Sequence, residues 1–254
     1  MTSPTFSIIT PTYNAEKALD RTLRSVASQT YRKFEHIVVD GASTDNTIKC
    51  LESYRKQIPN LKISSAPDKG IYDAMNKGIR SSNGQFLIFL NADDKFANSE
   101  VLEELERVLS TNPNIDLIYG NTNVFDKIGD FIKTLKPLPF NKRNLARHGT
   151  RTVCHQSICI ARDLAPNYSL DYRLKGELNW YYDIQKQRPR TFYLNIAIAD
   201  FYLGGLGSQH FWTNLKEKWA VNQKQNGTLT LWLNGPQYLR DIAFYYRAKL
   251  KRQI

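Results

Sequence analysis

Five short apolar runs recur through the first 120 residues, each followed by a stretch with helical spacing. This rhythm restricts the fold more than any other feature. FSIIT over 6–10 stops at Pro11, FEHIVV over 34–39 stops at Asp40-Gly41, and a weaker run covers 61–65. FLIFL covers 86–90 and IDLIY covers 115–119. The runs are continuous rather than alternating, as in strands buried on both faces. Between them, residues 15–29 place Ala18, Leu19, Leu23 and Val26 on one helical face. Residues 44–57 do so with Ile48, Leu51 and Tyr54, and 71–81 with Ala74, Met75 and Ile79. Residues 100–109 carry Val101, Leu105 and Val108, with acids in the first turns, where the helix dipole favours them. Such alternation predicts an α/β fold of βαβ units around a mostly parallel sheet flanked by helices. No internal repeat is visible.

After about residue 128 the rhythm breaks. Lys136-Pro137-Leu138-Pro139 reads as a turn or linker, followed by scattered polar and aromatic segments and the cluster Gly204-Gly205-Leu206-Gly207. A basic, aromatic-rich stretch from about Trp212 looks helical, interrupted near Asn234-Gly235-Pro236. Charge divides the same way. Residues 1–127 are balanced at 15 Lys and Arg against 16 Asp and Glu, whereas 128–254 carry 20 against 8. A basic half points to a polyanionic partner: nucleic acid, an anionic membrane surface or a phosphate-bearing substrate.

Several classes are excluded. No apolar run approaches the roughly 18–20 residues of a spanning helix. Met1-Thr2-Ser3-Pro4 lacks the basic region of a secretory signal. Cys50, Cys154 and Cys159 fit neither a disulfide framework nor a zinc pattern, so a reduced, cytoplasmic compartment is expected.

In an open parallel sheet, ligands bind at the carboxyl ends of the strands. The segments there are Pro11-Thr12-Tyr13-Asn14, Asp40-Gly41-Ala42-Ser43-Thr44-Asp45, Pro67-Asp68-Lys69-Gly70 and Asn91-Ala92-Asp93-Asp94. Three of the four carry carboxylates. Asp40 alone could open a turn, and Asp93-Asp94 alone could be a solvated loop. Their recurrence at successive strand ends points instead to a nucleotide and metal site.

PTYN, VVDGASTDNT, PDKGIYDAMNKGI and FLNADD together resemble glycosyltransferase family 2, whose nucleotide-sugar-binding fold is called GT-A. The resemblance covers about residues 5–125 and continues more loosely through Cys154-His155-Gln156-Ser157 and 170–177. The phrase over 67–78 resembles bacterial members that build capsule, exopolysaccharide and lipopolysaccharide sugars. The resemblance implies a GT-A domain over 1–210, with a nucleotide-sugar-binding half over 1–127 and an acceptor-side half over 128–210. A helical basic extension follows over 211–254.

The resemblance also implies site roles. Pro11, Thr12 and Tyr13 would line the uracil pocket, Asp40 would accept a hydrogen bond from the base, and Asp68 would contact the nucleoside. Lys69 and Asn76, within the same phrase, join the expected donor-binding set. Asn91-Ala92-Asp93 matches the D-x-D metal motif, with Asp93 as the retained carboxylate and Asp94 as a neighbour that could assist. The metal would be Mn²⁺ or Mg²⁺. Asn91 departs from the usual Asp and brings no charge. Glu177 is the expected catalytic base, with Asp171 and Asp183 as alternatives, and His155 is expected to contact phosphates or acceptor. The activity implied is inverting transfer from a nucleotide sugar, a UDP-sugar first, to a hydroxyl of a glycan or lipid-linked acceptor in cell-surface polysaccharide synthesis.

Two rival readings use the same features less completely. A nucleic-acid-binding protein would explain the basic half, but no zinc-finger, RNA-recognition or helix-turn-helix signature occurs, so no nucleic acid is expected. A nucleotidyltransferase would lack its Gly-rich basic signature. At the C-terminus, Leu239, Ile242, Ala243, Tyr246 and Leu250 form an apolar stripe beside Arg240, Arg247, Lys249, Lys251 and Arg252. This pattern predicts either a helix lying on the inner face of an anionic membrane or one packed on the domain or on a second copy in a homodimer.

Overall fold

The apolar runs are strands, and alternate residues along them feed separate cores on the two faces of the sheet. The computed structural model describes residues 3–58, 60–204, 210–230, 232, 234–235 and 238–243. Strand β1 (Phe6–Thr12) sends Phe6 and Ile8 to one core and Ile9 to the other. In β4 (Phe86–Phe89), Ile88 joins the first core while Leu87 and Phe89 join the second. Where both faces are covered, apolar residues dominate, and the polar Ser7 and Thr10 are paired with Glu35 and His36. Each fully buried aliphatic side chain contributes roughly 1.5–3 kcal/mol of transfer free energy.

With β2 (Phe34–Asp40) and β3 (Leu61–Ser65), these strands form the parallel order β3-β2-β1-β4. Their crossovers carry α1 (Leu19–Ala27), α2 (Thr47–Ser53) and α3 (Ile71–Ser81). Helix α2 is shorter than the apolar spacing over 44–57 predicts. Asp45 Oδ1 accepts the Thr47 N–H at 3.0 Å and so starts the helix late. Gly70 precedes α3 at φ 112°, a backbone that favours glycine, and its N–H holds the Asp68 carboxylate in the turn before the helix.

Beyond β4 the sheet becomes mixed. Short β5 (Lys95–Phe96) is followed by α4 (Val101–Thr111), β6 (Leu117–Phe125), the edge strand β7 (Phe131–Leu135) and α5 (Lys142–His148). Strand β8 (Ile158–Ala161) lies antiparallel between β4 and β6. After α6 (Gly176–Lys186), β9 (Thr191–Tyr202) pairs parallel with β6 and antiparallel with β5. The expected parallel sheet is therefore complete in the first half, and the segments that read as scattered in the second half extend it. Helix α7 (Phe211–Asn226) packs on α6. Residues 205–207 and 244–254, with Tyr246 and Leu250 of the expected stripe and Arg247, Lys249, Lys251 and Arg252 beside it, lie outside the described residues. No described helix is long and apolar enough to cross a membrane.

Candidate active site

Strand lengths open a notch at one edge of the sheet. Pairing of β1 with β4 stops at Ile9↔Phe89, whereas pairing of β1 with β2 runs on to Thr12↔Asp40. Pro11 and Thr12 therefore stand past the end of one neighbour, and the buried Thr12 hydroxyl has no protein partner among the described residues. Tyr13 follows with 65% of its surface exposed. Asp40 is fully buried and accepts from the Ser43 N–H at 2.9 Å, from the Ser43 hydroxyl, and from the Ser65 hydroxyl at 2.6 Å. Asp68 lies over the same floor. It accepts the Gly70 N–H at 2.8 Å, and a Cβ placed on Gly41 would meet its Oδ2 at 2.8 Å. Two carboxylates from separate loops thus converge. Lys69 is exposed beside them, and its N–H donates to Asp73 at 3.1 Å.

The turn after β4 supplies oxygen ligands. Asp93 is half-buried and Asp94 is buried, and α1 secures the turn through the Thr22 hydroxyl, which donates to the Asp94 carbonyl at 2.6 Å. Burial raises the Asp93 pKa, with the Arg21 charge pulling the other way. Burial and then the negative Asp93 hold the Asp94 pKa well above the ordinary carboxylate range. Asp94 Oδ1 accepts the Tyr202 N–H at 3.0 Å, while Asp94 Oδ2 and Asn91 Oδ1 are buried without a hydrogen-bond partner. Gln156 lies near enough to favour the Asp94 carboxylate slightly. Ala92 packs against the first core.

Among the described residues no three His, Cys, Asp or Glu side chains gather as a metal cage. A hard cation that also takes substrate phosphate oxygens needs only one or two carboxylates from the protein. Asp93, Asp94 and the unpartnered Asn91 amide oxygen fit that requirement.

Glu177 reaches the same region from the first turn of α6. The Tyr72 hydroxyl on α3 donates to Glu177 Oε2, and Lys175 Nζ stands 3.6 Å from Oε1. This approach needs Gly176, where a Cβ would fall 2.6 Å from the Tyr72 ring. The half-buried Cys154 thiol is pushed up to about 12 by burial, then by Asp94, with a smaller push from Glu177. The alternative bases are engaged elsewhere. Asp171 accepts from Ser169 at 2.9 Å, and Asp183 from Asn179 at 2.7 Å and from Lys186 at 2.6 Å.

Two expected ligands are occupied differently. His155 sits among Phe89, Trp180 and Tyr181, with Nε2 2.5 Å from the Tyr168 hydroxyl. Burial lowers its pKa to about 3, so it offers no positive charge to a phosphate. Asn76 donates to the Tyr168 carbonyl at 2.9 Å and accepts the Tyr168 N–H at 2.7 Å, leaving only limited capacity for a ligand. Both residues brace Tyr168, which stacks between Tyr72 and Trp180. Sequence reasoning missed Tyr72 and Arg21. The Arg21 guanidinium lies 3.7 Å from the centroid of the Tyr202 ring, behind the metal motif. Neither sits in a strand-end segment, so only the fold brings them in.

The mixed α/β fold and its strand-end carboxylates define a nucleotide-sugar-transferase type of architecture. Residues 7–165 match the model for glycosyl transferase family 2. Over 221 residues the chain is 34% identical to the PGL/p-HBAD biosynthesis glycosyltransferase of Mycobacterium tuberculosis, covering 82% of this chain and 81% of that one. Among solved structures, Staphylococcus aureus TarS 1–349 in complex with UDP-GlcNAc aligns at TM-score 0.68 and 19% identity, over 87% of this chain and 67% of that one. Mannosyltransferase PcManGT from Pyrobaculum calidifontis, in complex with GDP-Man and Mn²⁺, aligns at 0.66 and 16%, over 97% and 76%. The chain thus spans about two thirds of the TarS structure's length. It belongs to glycosyl transferase family 2, and its fold is of the GT-A type.

Proposed function

We propose that the protein transfers a sugar, with inversion, from a UDP-linked donor to an acceptor hydroxyl, and that transfer needs a divalent cation. The observation that carries this reading is the placing of Asp40, Asp68 and the 91–94 turn at the ends of adjoining strands, with Glu177 held by Tyr72 in the first turn of α3. Asp40 and Asp68 hold the base and nucleoside, with Pro11, Thr12 and Tyr13 along the pocket and Lys69 at its entrance. Asp93, aided by Asp94 and Asn91, holds Mn²⁺ or Mg²⁺. When bound, the cation supplies positive charge opposite the diphosphate. Glu177 takes the proton of the acceptor hydroxyl, that oxygen bonds to the anomeric carbon, and the bond to the UDP oxygen breaks. The UDP-GlcNAc complex of TarS supports a UDP-sugar, and the Mn²⁺ complex of PcManGT supports a cation.

Residues 1–127 form the donor side and 128–210 the acceptor side, for a glycan or lipid-linked acceptor. The basic half rests on the inner face of an anionic membrane. Among the described residues, every large exposed apolar side chain except Tyr13 lies in that half, including Trp232 and Leu239. Anionic vesicles are expected to sediment the full chain, and a chain ending near Pro236 is expected to sediment less. Equal sedimentation of the two contradicts a membrane role for the tail.

A thermal-shift screen of UDP- and GDP-sugars, with and without Mn²⁺, tests the donor assignment, because a ligand of the folded state raises its melting temperature. UDP-sugars with Mn²⁺ are expected to give the largest shift. Glu177→Gln is expected to keep that shift and lose about 10²–10⁴ in turnover. Normal turnover in this variant, with Asp171→Asn or Asp183→Asn inactive, contradicts the choice of base.

A further inference from the structure

The start of α6 lacks a cap of its own. Its N-cap residue is Lys175, which makes no side-chain capping bond, and a lysine ammonium has no acceptor to offer. Backbone N–H groups at such a start need acceptors from elsewhere. The segment that leads into the helix is instead held by one side chain 42 to 44 residues downstream. The Glu217 carboxylate on α7 accepts the N–H of Arg173 at 3.0 Å, of Leu174 at 2.7 Å and of Lys175 at 2.9 Å. A carboxylate accepting three backbone N–H groups is among the stronger local restraints a protein can make.

Glu177 is the second residue of the helix that follows this clamp. The rest of α7 grips the same helix. Asn222 accepts from the Tyr182 hydroxyl at 2.9 Å, Asn226 donates to it at 2.9 Å, and Gln225 donates to Asn179 at 3.3 Å. Glu217, Val221 and Gln225 repeat every four residues, so these contacts run down one face of α7. Glu217 is the end of that face nearest the site. A local Asp, Ser or Thr at position 175 would have capped the helix alone. Position 175 is instead a lysine beside Glu177, and the Glu217 contacts to residues 173–175 tie the approach to the base to the C-terminal extension.

We propose that Glu217 is a positioning residue for sugar transfer, holding segment 173–175 so that the Glu177 carboxylate stands where the acceptor hydroxyl arrives. This rests on Glu177 being the base. It gives the extension a part in turnover that is separate from any membrane contact. Glu217→Gln keeps the side chain's size but replaces one acceptor oxygen with an NH₂ that faces backbone N–H groups. Displacing a reacting group by about 1 Å can cost on the order of 10²-fold in rate.

The test uses the full chain with UDP-GlcNAc and Mn²⁺, following UDP release, together with backbone hydrogen exchange. In Glu217→Gln, exchange is expected to quicken at 173–177 and stay unchanged in β1, β2 and β4. Turnover is expected to fall at least about tenfold, with the KM for UDP-GlcNAc within about twofold of wild type. Glu217→Asp, which keeps the charge, is expected to recover part of the turnover, and serves alone if the Gln variant does not fold. The double variant Glu177→Gln/Glu217→Gln is expected to be no slower than Glu177→Gln, because both act through one group. Unchanged exchange at 173–177, a loss confined to KM, or multiplicative losses in the double variant overturns the proposal. Wild-type turnover in Glu177→Gln overturns the base instead. An inactive Glu177→Gln beside a normal Glu217→Gln overturns the positioning role alone.

Discussion

Asp93 and Asp94 adjoin in a half-buried turn, and their neighbourhood disfavours two negative charges. Burial raises both pKa values, and Asp93 adds to the rise at Asp94. A cation must displace whatever proton these groups hold, so cation-dependent UDP binding should weaken as pH falls and should release protons. Calorimetry of UDP with Mn²⁺ in two buffers of different ionisation enthalpy checks this. Equal heats in both buffers at pH 6 contradict it. Gly41 is a second sensitive position. A methyl group there meets the Asp68 carboxylate at 2.8 Å, so Gly41→Ala should push Asp68 aside. Because the displaced atom ends a movable side chain, UDP affinity should fall several-fold while the melting temperature changes little. A large loss of stability with normal affinity would contradict that reading.

At the level of elements, the aromatic wall made by α3, β4 and α6 depends on Asn76. Its amide satisfies both backbone groups of Tyr168, whose ring stacks at 5.0 Å on Trp180. Asn76→Ala leaves a buried N–H and a buried C=O unpaired and should destabilise by about 2–4 kcal/mol, read by urea unfolding. A loss below about 0.5 kcal/mol means that the segment relaxes. The strands and helices of the first half were legible because each carries its own period. Helix α3 was expected over 71–81 and spans Ile71–Ser81. Strand β9 was not legible. Its TFYLNIAIADFY is broken by Asn195 and Asp200, whose partners Asn121, Tyr193 and Lys95 are unknowable before the fold. The same limit applies to the site. Its strand-end carboxylates follow from topology, whereas the burial of His155 and the clamp from Glu217 depend on contacts between distant segments.

At the level of the whole molecule, a charge-balanced first half is joined to a basic second half through one sheet, so stability and function share groups. His36 is fully buried in β2, with Nε2 2.9 Å from the Thr10 hydroxyl, and burial lowers its pKa to about 3. The unfolded chain takes up this proton first. The stability His36 contributes is therefore present above about pH 6.5 and lost as pH falls from there toward 3. His36→Gln should remove about 1.4 kcal/mol per pH unit of that acid dependence, measured by urea unfolding at pH 7 and 5. Identical slopes in the two proteins contradict it. The strand-end carboxylates remain the centre of the functional reading, and calorimetry of UDP binding with and without Mn²⁺, in the wild type and in Asp93→Ala, tests them most directly. Binding should need the cation in the wild type, and Asp93→Ala should lose the cation-dependent part. UDP binding indifferent to Mn²⁺, or an Asp93→Ala variant that binds UDP and Mn²⁺ as the wild type does, would contradict a metal-assisted sugar transferase.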